Sequence, residues 1–472
     1  MLPPREGLDR GQLRPTGPRE ARAGPPGPGE RGSRPNSGGG GHPSRDTHGG
    51  GRGRGGPQDG LAGGGRWLRG PREGDRALYL SREEERALDG ELGPGLQLAM
   101  RILVKLGDLF GAERLLPIRS AHVSGVSYKT VGDVAIGFLE ELVEMGARAS
   151  VPATTNPCGF DERLKAILDL PDEVVAAQER LVDLYSKLGL LRTLTCVPYY
   201  QLRPEEGSHL AWAESSAVVY ANSVLGALTN REGSPSALAA AIAGRTPDYG
   251  LHRPENREPG LLVDVLFNPR DELELWALGF LVGQVAGDAV PLLRGLRGLP
   301  DWELKGLGAS MASGGMTAMF MLEGGRPRPR GPLRELEKLQ VGREDLSDVM
   351  DKLSSPGEPD MVFVGCPHCS REELELIARL LKGRRTERPL WVCTSRHVRA
   401  SCPEAVRALE ASGALVVVDT CVVVSWVERL GVDLVATNSP KAAYYLPGLS
   451  GVQVRLASLR ECVELACSRS SR

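Results

Sequence analysis

The stretch "MVFVGCPHCSREE" (residues 361–373) runs an apolar segment straight into Cys366, His368 and Cys369 and then into a helix start. Three chemistries use such residues. A thioredoxin-like couple needs C-x-x-C opening a helix after a strand, and the local context fits. A tetrahedral zinc site needs four ligands, for which Cys366, His368, Cys369 and Cys421 are available, although neighbouring loop residues around a proline make an awkward chelate. An iron–sulfur cluster needs thiolates from separate segments; Cys196 in "LTCVPYY", Cys366 and Cys421 each close a strand-like run. Three such ligands leave one iron open to substrate, a Lewis-acid site. Spacing does not choose among the three. Cys393, Cys402, Cys462 and Cys467 read as small buried hydrophobes, and Cys158 in "TNPCGF" is a cysteine with site-like neighbours.

The elements that must position these residues read as α/β. Ser81 with Glu84 offers a capping box, and Met100, Leu103, Leu106 and Phe110 mark one face of a helix over 96–110. "RLLPI" predicts a strand, "RSAHVSGVSYKT" a loop, "VGDVAIGFLEELVEMG" a helix and "ARASVPATTNPCGF" a strand running into a loop. A helix over 172–189 leads to a further strand, "LRTLTCVPYY". The middle third is rich in small residues at helical spacing, with a strand in "EPGLLVDVLFNP" and a helix in "DELELWALGFLVGQVAG". From residue 346 the alternation is regular: "MVFVG", a loop and a helix capped at Ser370; "PLWVCTS" before "PEAVRALEASG"; "ALVVVDT" before a helix in "CVVVSWVERLG"; "DLVAT" before "SPKAAYYLPG"; then "VQVRLA". Near-continuous apolar strands imply a sheet covered on both faces, with ligands at the carboxyl ends of its strands. That rim carries Cys366, Thr394, Ser395, Cys421, Thr437, Asn438 and Ser439.

The chain has 472 residues, a formal charge of −2 and 41% hydrophobic residues. Up to Arg76 it is largely Gly, Pro and Arg, with 14 arginines, 8 acidic residues and no lysine, about +6, so the remainder carries about −8. The expected organisation is a disordered head over 1–76, an α/β region with substrate loops over 77–340 and a doubly wound α/β region over 341–472. An acidic body with a basic head is a poor nucleic-acid footprint. Nine cysteines without a secretory signal predict reduced thiols, and no run suits a signal peptide or a membrane span, so a cytoplasmic location is expected.

The segments "HVSGVSYKTVGD", "PATTNPCGFD", "TCVPYY", "WAESSAVVYANSVLGA", "VGCPHCS" and "TNSPKAAYY" together resemble the aconitase X family, over everything from Tyr79 to the C-terminus. The resemblance implies an aconitase-like catalytic body of several parallel or mixed sheets flanked by helices, lacking the swivelling domain. It implies an iron–sulfur cluster, of the 4Fe–4S kind, on Cys196, Cys366 and Cys421, with Cys369 a neighbour. It implies removal of water from a hydroxylated acid, either (R)-5-phosphomevalonate to trans-anhydromevalonate 5-phosphate in an archaeal-type mevalonate route, the preferred reading, or cis-3-hydroxy-L-proline; a non-catalytic metal-binding protein is the further alternative. A small subunit carrying the swivelling domain is then expected as partner and as the source of the catalytic base. The candidate substrate residues are Gly125, Val126 and Ser127, whose loop opens a helix and offers N–H groups to an anion, with Asn156, Pro157, Glu214, Asn222 and Ser439. Lys129 or Arg119 would suit a distal phosphate.

Overall fold

The structure, a computed structural model, describes residues 78–469 apart from 332, 334 and 335. The expected head at 1–76 lies outside the described residues. Three parallel sheets organise the chain. The first has three strands in the order Ala153–Thr155, Ser120–Val123, Leu210–Trp212. The second has four, Met321–Leu322, Pro291–Arg294, Leu261–Val265, Glu337–Val341. The third has five, Leu415–Val417, Leu390–Thr394, Met361–Cys369, Leu434–Thr437, Gln453–Leu456. A small antiparallel pair joins Leu115–Pro117 to Arg245–Pro247. Among the described residues no helix is long and apolar enough to cross a membrane.

In chain order the third sheet runs 3-2-1-4-5, so the strand Met361–Cys369 stands where the winding reverses. Side chains just beyond its carboxyl end face the crevice left by connections that diverge to either side. The helix Arg371–Leu380 follows at once, with Ser370 and Glu373 closing the expected capping box. Gly365 is left-handed at φ +105, and a Cβ there would lie 2.2 Å from the Cys393 carbonyl oxygen; the strand bends at this point because only glycine allows that approach.

Four local expectations change. "RSAHVSGVSYKT" contains a wholly buried strand, Ser120–Val123. Its polar residues hid it: Ser120 accepts the Trp212 indole N–H, and His122 is bonded on both ring nitrogens. "LRTLTCVPYY" makes only a single bridge at Leu191, then irregular backbone and the short 3-10 helix Pro198–Tyr200. "CVVVSWVERLG" forms turns and the short 3-10 helix Val427–Leu430; Ser127 and Lys129 take the Val424 and Ser425 carbonyls that a helix would have used. The Cys-Pro-His-Cys segment continues its strand, with a register shift between Val364 and Cys369, instead of forming a loop.

Candidate active site

The first and third sheets meet at their carboxyl ends. After the strand Ser120–Val123 comes the loop Ser124–Gly125–Val126–Ser127; after Ala153–Thr155 come Asn156, Pro157 and Cys158; after Leu210–Trp212 comes Glu214. Bonds stitch these loops to the other sheet. Ser127 Oγ donates to the Val424 carbonyl at 2.8 Å, and the Cys158 N–H donates to the Asp419 carbonyl at 2.8 Å. The His368 N–H donates to Cys196 Sγ at 3.2 Å. Buried Gln178 joins two loops, accepting from the Tyr128 and Gly159 N–H groups and donating to the Val126 carbonyl.

All nine cysteines are free thiols. Three of them, Cys196, Cys366 and Cys421, are buried together from three distant segments. The neighbouring Cys421 thiol and the Lys441 cation lower the Cys366 pKa against the effect of burial, and Cys421 is raised by Cys366 and by burial. Burial pushes the Cys196 thiol up to about 12. Each thiol follows a left-handed residue: Leu194 at φ 45, Gly365 at φ +105 and Asp419 at φ 65. Leucine and aspartate in that region cost of order 1–3 kcal/mol each, strain of the kind that accumulates at functional sites.

Cys369 lies three positions after Cys366 and packs on the opposite face. Cys366 joins the apolar group of Phe363, Trp391 and Val422, whereas Cys369 joins Val362, Leu374 and Val392. Burial keeps the Cys369 thiol protonated, well above its ordinary pKa. Two thiols on opposite faces of one strand cannot form the redox couple. Both ring nitrogens of His368 are taken, Nδ1 with Thr195 Oγ at 2.9 Å and Nε2 with the Thr420 carbonyl at 3.0 Å. The four-ligand zinc reading therefore fails at two of its ligands. Among the described residues no three His, Cys, Asp or Glu side chains gather around one ion-sized point. A cluster makes a different demand, one thiolate for each ligated iron.

Beside the thiols runs a buried polar chain. Lys441 Nζ donates to Glu214 Oε1 at 2.5 Å, Asn156 Nδ2 donates to Glu214 Oε2 at 2.7 Å, and His122 Nε2 stands 2.8 Å from Asn156 Oδ1. Burial disfavours the Glu214 charge, but Lys441 and the donors around it hold its pKa at about 2. The same partnership raises Lys441 above its ordinary value in spite of burial. Burial lowers His122 to about 4, so it is neutral at pH 7. With the protein, Lys441 donates only to Glu214 among the described residues, leaving two N–H bonds for a ligand. Arg231, half-buried, lies within electrostatic reach of Glu214 and gives one N–H to the Gly315 carbonyl.

The expected residues divide accordingly. Asn156 and Glu214 sit in this chain, and Ser439 donates to the Cys366 carbonyl at 2.5 Å. Gly125, Val126 and Ser127 lead into the helix Tyr128–Glu144, and among the described residues no protein acceptor takes their N–H groups. Gly125 holds φ +78, with Ser234 Oγ 3.2 Å from where a Cβ would stand. Pro157 is buried beside Asn156. Asn222 stands apart: its amide donates to the Thr229 and Ala318 carbonyls and accepts from Thr229 and Arg257. Lys129 is spent on the Ser425 carbonyl, Glu428 and Ser450, and Arg119 is exposed beside Glu205. Lys129 therefore has no N–H left for a phosphate. Lys441, Arg231, His122 and Gln178 were not picked out from sequence, and His368 was considered only as a zinc ligand; the rim position of Lys441, two residues after Ser439, was a usable signal.

Three family models match the chain: Aconitase X first domain over 77–255, second domain over 259–351 and third domain over 359–468. The phosphomevalonate dehydratase large subunit of Methanothermobacter thermautotrophicus is 44% identical over 387 residues, covering 79% of this chain and 95% of that one. The protein of the same name from Methanosarcina mazei is 42% identical, covering 84% and 98%. The cis-3-hydroxy-L-proline dehydratase of Pseudomonas aeruginosa is 36% identical, covering 81% of this chain and 69% of the relative. The crystal structure of Thermococcus kodakaraensis aconitase X in its holo-form superposes with a TM-score of 0.77 at 42% identity, covering 82% of this chain and all of that one. The three domain models together cover most of the chain, and this protein belongs to the aconitase X family.

Proposed function

We propose that the chain is the large subunit of a dehydratase that removes water from (R)-5-phosphomevalonate, with an iron–sulfur cluster held by Cys196, Cys366 and Cys421. The observation that carries the reading is the burial of three unpaired thiols from three segments beside a cation, Lys441, that still has donors to give. The donor set fits the group: soft thiolates, a main-chain N–H aimed at one sulfur, and a histidine withdrawn from ligation. Three thiolates serve three corners of a 4Fe–4S cluster, which when bound supplies a Lewis acid for the departing hydroxyl.

The chain's own residues bind and orient. Lys441 offers two N–H groups to a carboxylate while Glu214 keeps it charged and in place. Asn156, fixed between His122 and Glu214, presents a wall beside it. The N–H groups of Gly125, Val126 and Ser127 at a helix start suit an anionic group, and the half-buried Arg231 adds a second cation. A doubly anionic acid matches this balance better than a prolyl ring nitrogen, which would need a free carboxylate; Glu214 is already bonded to Lys441, Asn156 and Ser216. The archaeal relatives named as large subunits support a small partner, to which we assign the base that removes the proton next to the carboxylate.

The test is anaerobic purification of the chain co-expressed with its small partner, with iron, sulfide and visible absorption measured before both substrates are assayed side by side. A brown protein that dehydrates 5-phosphomevalonate alone supports the reading. Turnover of hydroxyproline alone would keep the cluster and overturn the substrate. Iron-free protein would overturn the cysteine assignment.

A further inference from the structure

We propose that His368 is a positioning residue that holds the three thiols in register, acting as a hydrogen-bonded crosslink among the segments that carry them. The proposal rests on the reading that Cys196, Cys366 and Cys421 hold an iron–sulfur cluster. Its geometry is complete on all sides. A carbonyl oxygen can only accept, so Nε2 carries the proton and donates to the Thr420 carbonyl at 3.0 Å, one residue before Cys421. Nδ1 is then the acceptor, and Thr195 Oγ–H donates to it at 2.9 Å, one residue before Cys196. Thr195 Oγ in turn accepts the Val197 N–H at 3.2 Å, which fixes the hydroxyl's direction. His368 itself stands two residues after Cys366 on the strand at the winding reversal. Its main chain works too: the N–H donates to Cys196 Sγ at 3.2 Å, and the carbonyl accepts from Lys305 Nζ at 2.8 Å.

A satisfied core histidine would explain a filled hydrogen-bond inventory. It does not explain why the partners are the residues adjoining two of the thiols while the amide points at a sulfur. Ring and amide together give the site what a metal centre requires of its surroundings: fixed ligand orientation and an N–H bond to the thiolate that tunes the reduction potential. His368 thus neither ligates nor transfers protons; it sets where Cys196 and Cys421 stand relative to Cys366.

The experiment compares the anaerobically purified holoenzyme with H368N, H368Q and T195V. H368N keeps reach toward Thr195 and H368Q toward Thr420, while T195V keeps the shape and removes the hydroxyl. Iron release to a chelator and the midpoint potential by EPR-monitored titration are measured, with the melting temperature of each apo chain as a control. We expect iron release at least 10-fold faster in all three variants and a midpoint potential moved to more negative values, as the N–H bond to Cys196 slackens. If the histidine variants do not accumulate folded, T195V decides alone. Variants that melt lower yet keep the wild-type release rate and potential would make His368 a plain core residue and sink the proposal. Failure of the underlying reading looks different: wild-type protein without iron, or a C196S/C366S/C421S chain that retains it.

Discussion

Among the described residues, two buried lysine–glutamate pairs are built differently. Lys305, on the helix Asp301–Gly314, pairs with Glu373 and also donates to the His368 carbonyl. Glu373 in turn takes the Ser370 N–H and closes the cap of the helix Arg371–Leu380. Lys441, on the helix Pro440–Ser450, pairs with Glu214 and has no second protein acceptor among the described residues. The Lys305 ammonium is fully enclosed, whereas the Lys441 side chain keeps 12% of its surface exposed. An ion pair closed on all sides joins elements together. One left with open donors is suited to bind, because a ligand can complete its hydrogen bonding.

The comparison can be broken at either end. The largest effect is expected from K305M, which strands the Glu373 charge in the core; chemical denaturation should show a loss of about 3–5 kcal/mol. K441M should lower kcat/KM by about 10³-fold, with a smaller loss of stability, about 1–3 kcal/mol, since Glu214 keeps Asn156 and Ser216 as donors. If K441M unfolds as easily as K305M while substrate still turns over, the distinction between the pairs is wrong.

Acid sharpens the comparison further. Glu214 has a folded pKa near 2, below its ordinary value, so its contribution to stability is complete above the ordinary carboxylate range and is lost only as pH falls toward 2. His122, lowered to about 4 by burial, acts earlier. Between its ordinary 6.5 and about 4 the unfolded chain binds a proton that the folded chain refuses, so stability falls with pH across that window. H122Q, which can keep a donor toward Asn156, should remove up to about 3 kcal/mol of that acid loss, measured as denaturation midpoints at pH 7 and pH 4.5. The smallest effect belongs to K129M, which unties Ser425, Glu428 and Ser450 at a partly solvated edge and should cost about 1 kcal/mol with KM unchanged. A raised KM there would return Lys129 to the substrate site.

The two sheets that form the site were unequally legible. The third announces itself through apolar runs separated by helices at regular spacing, and its rim residues follow from the rule that ligands sit at strand carboxyl ends. The first does not. Its strands are three or four residues long, and Ser120 and His122 interrupt the apolar pattern because both are buried with hydrogen-bond partners instead of facing water. The turns after Cys421 were misread for a related reason: local propensity favoured a helix, but side chains from the first sheet's loop claim its carbonyls. Lys129 invited a phosphate role until its three partners, nearly 300 residues or more away in sequence, came into view.

By itself the sequence determined the α/β alternation, the capping boxes at Ser81 and Ser370 and which cysteines end apolar runs, since each of these follows from short-range periodicity and residue type. The tertiary structure decided which side of a strand each cysteine takes. A register shift after Val364 turns Cys366 toward the junction and Cys369 into the core, and no local rule distinguishes the two. It decided equally that Lys441 meets Glu214 across 227 residues and that His368 spends its ring on Thr195 and Thr420. Pairings of that kind come from closing long loops around a shared core, and their free energy resides in contacts that the linear order does not contain.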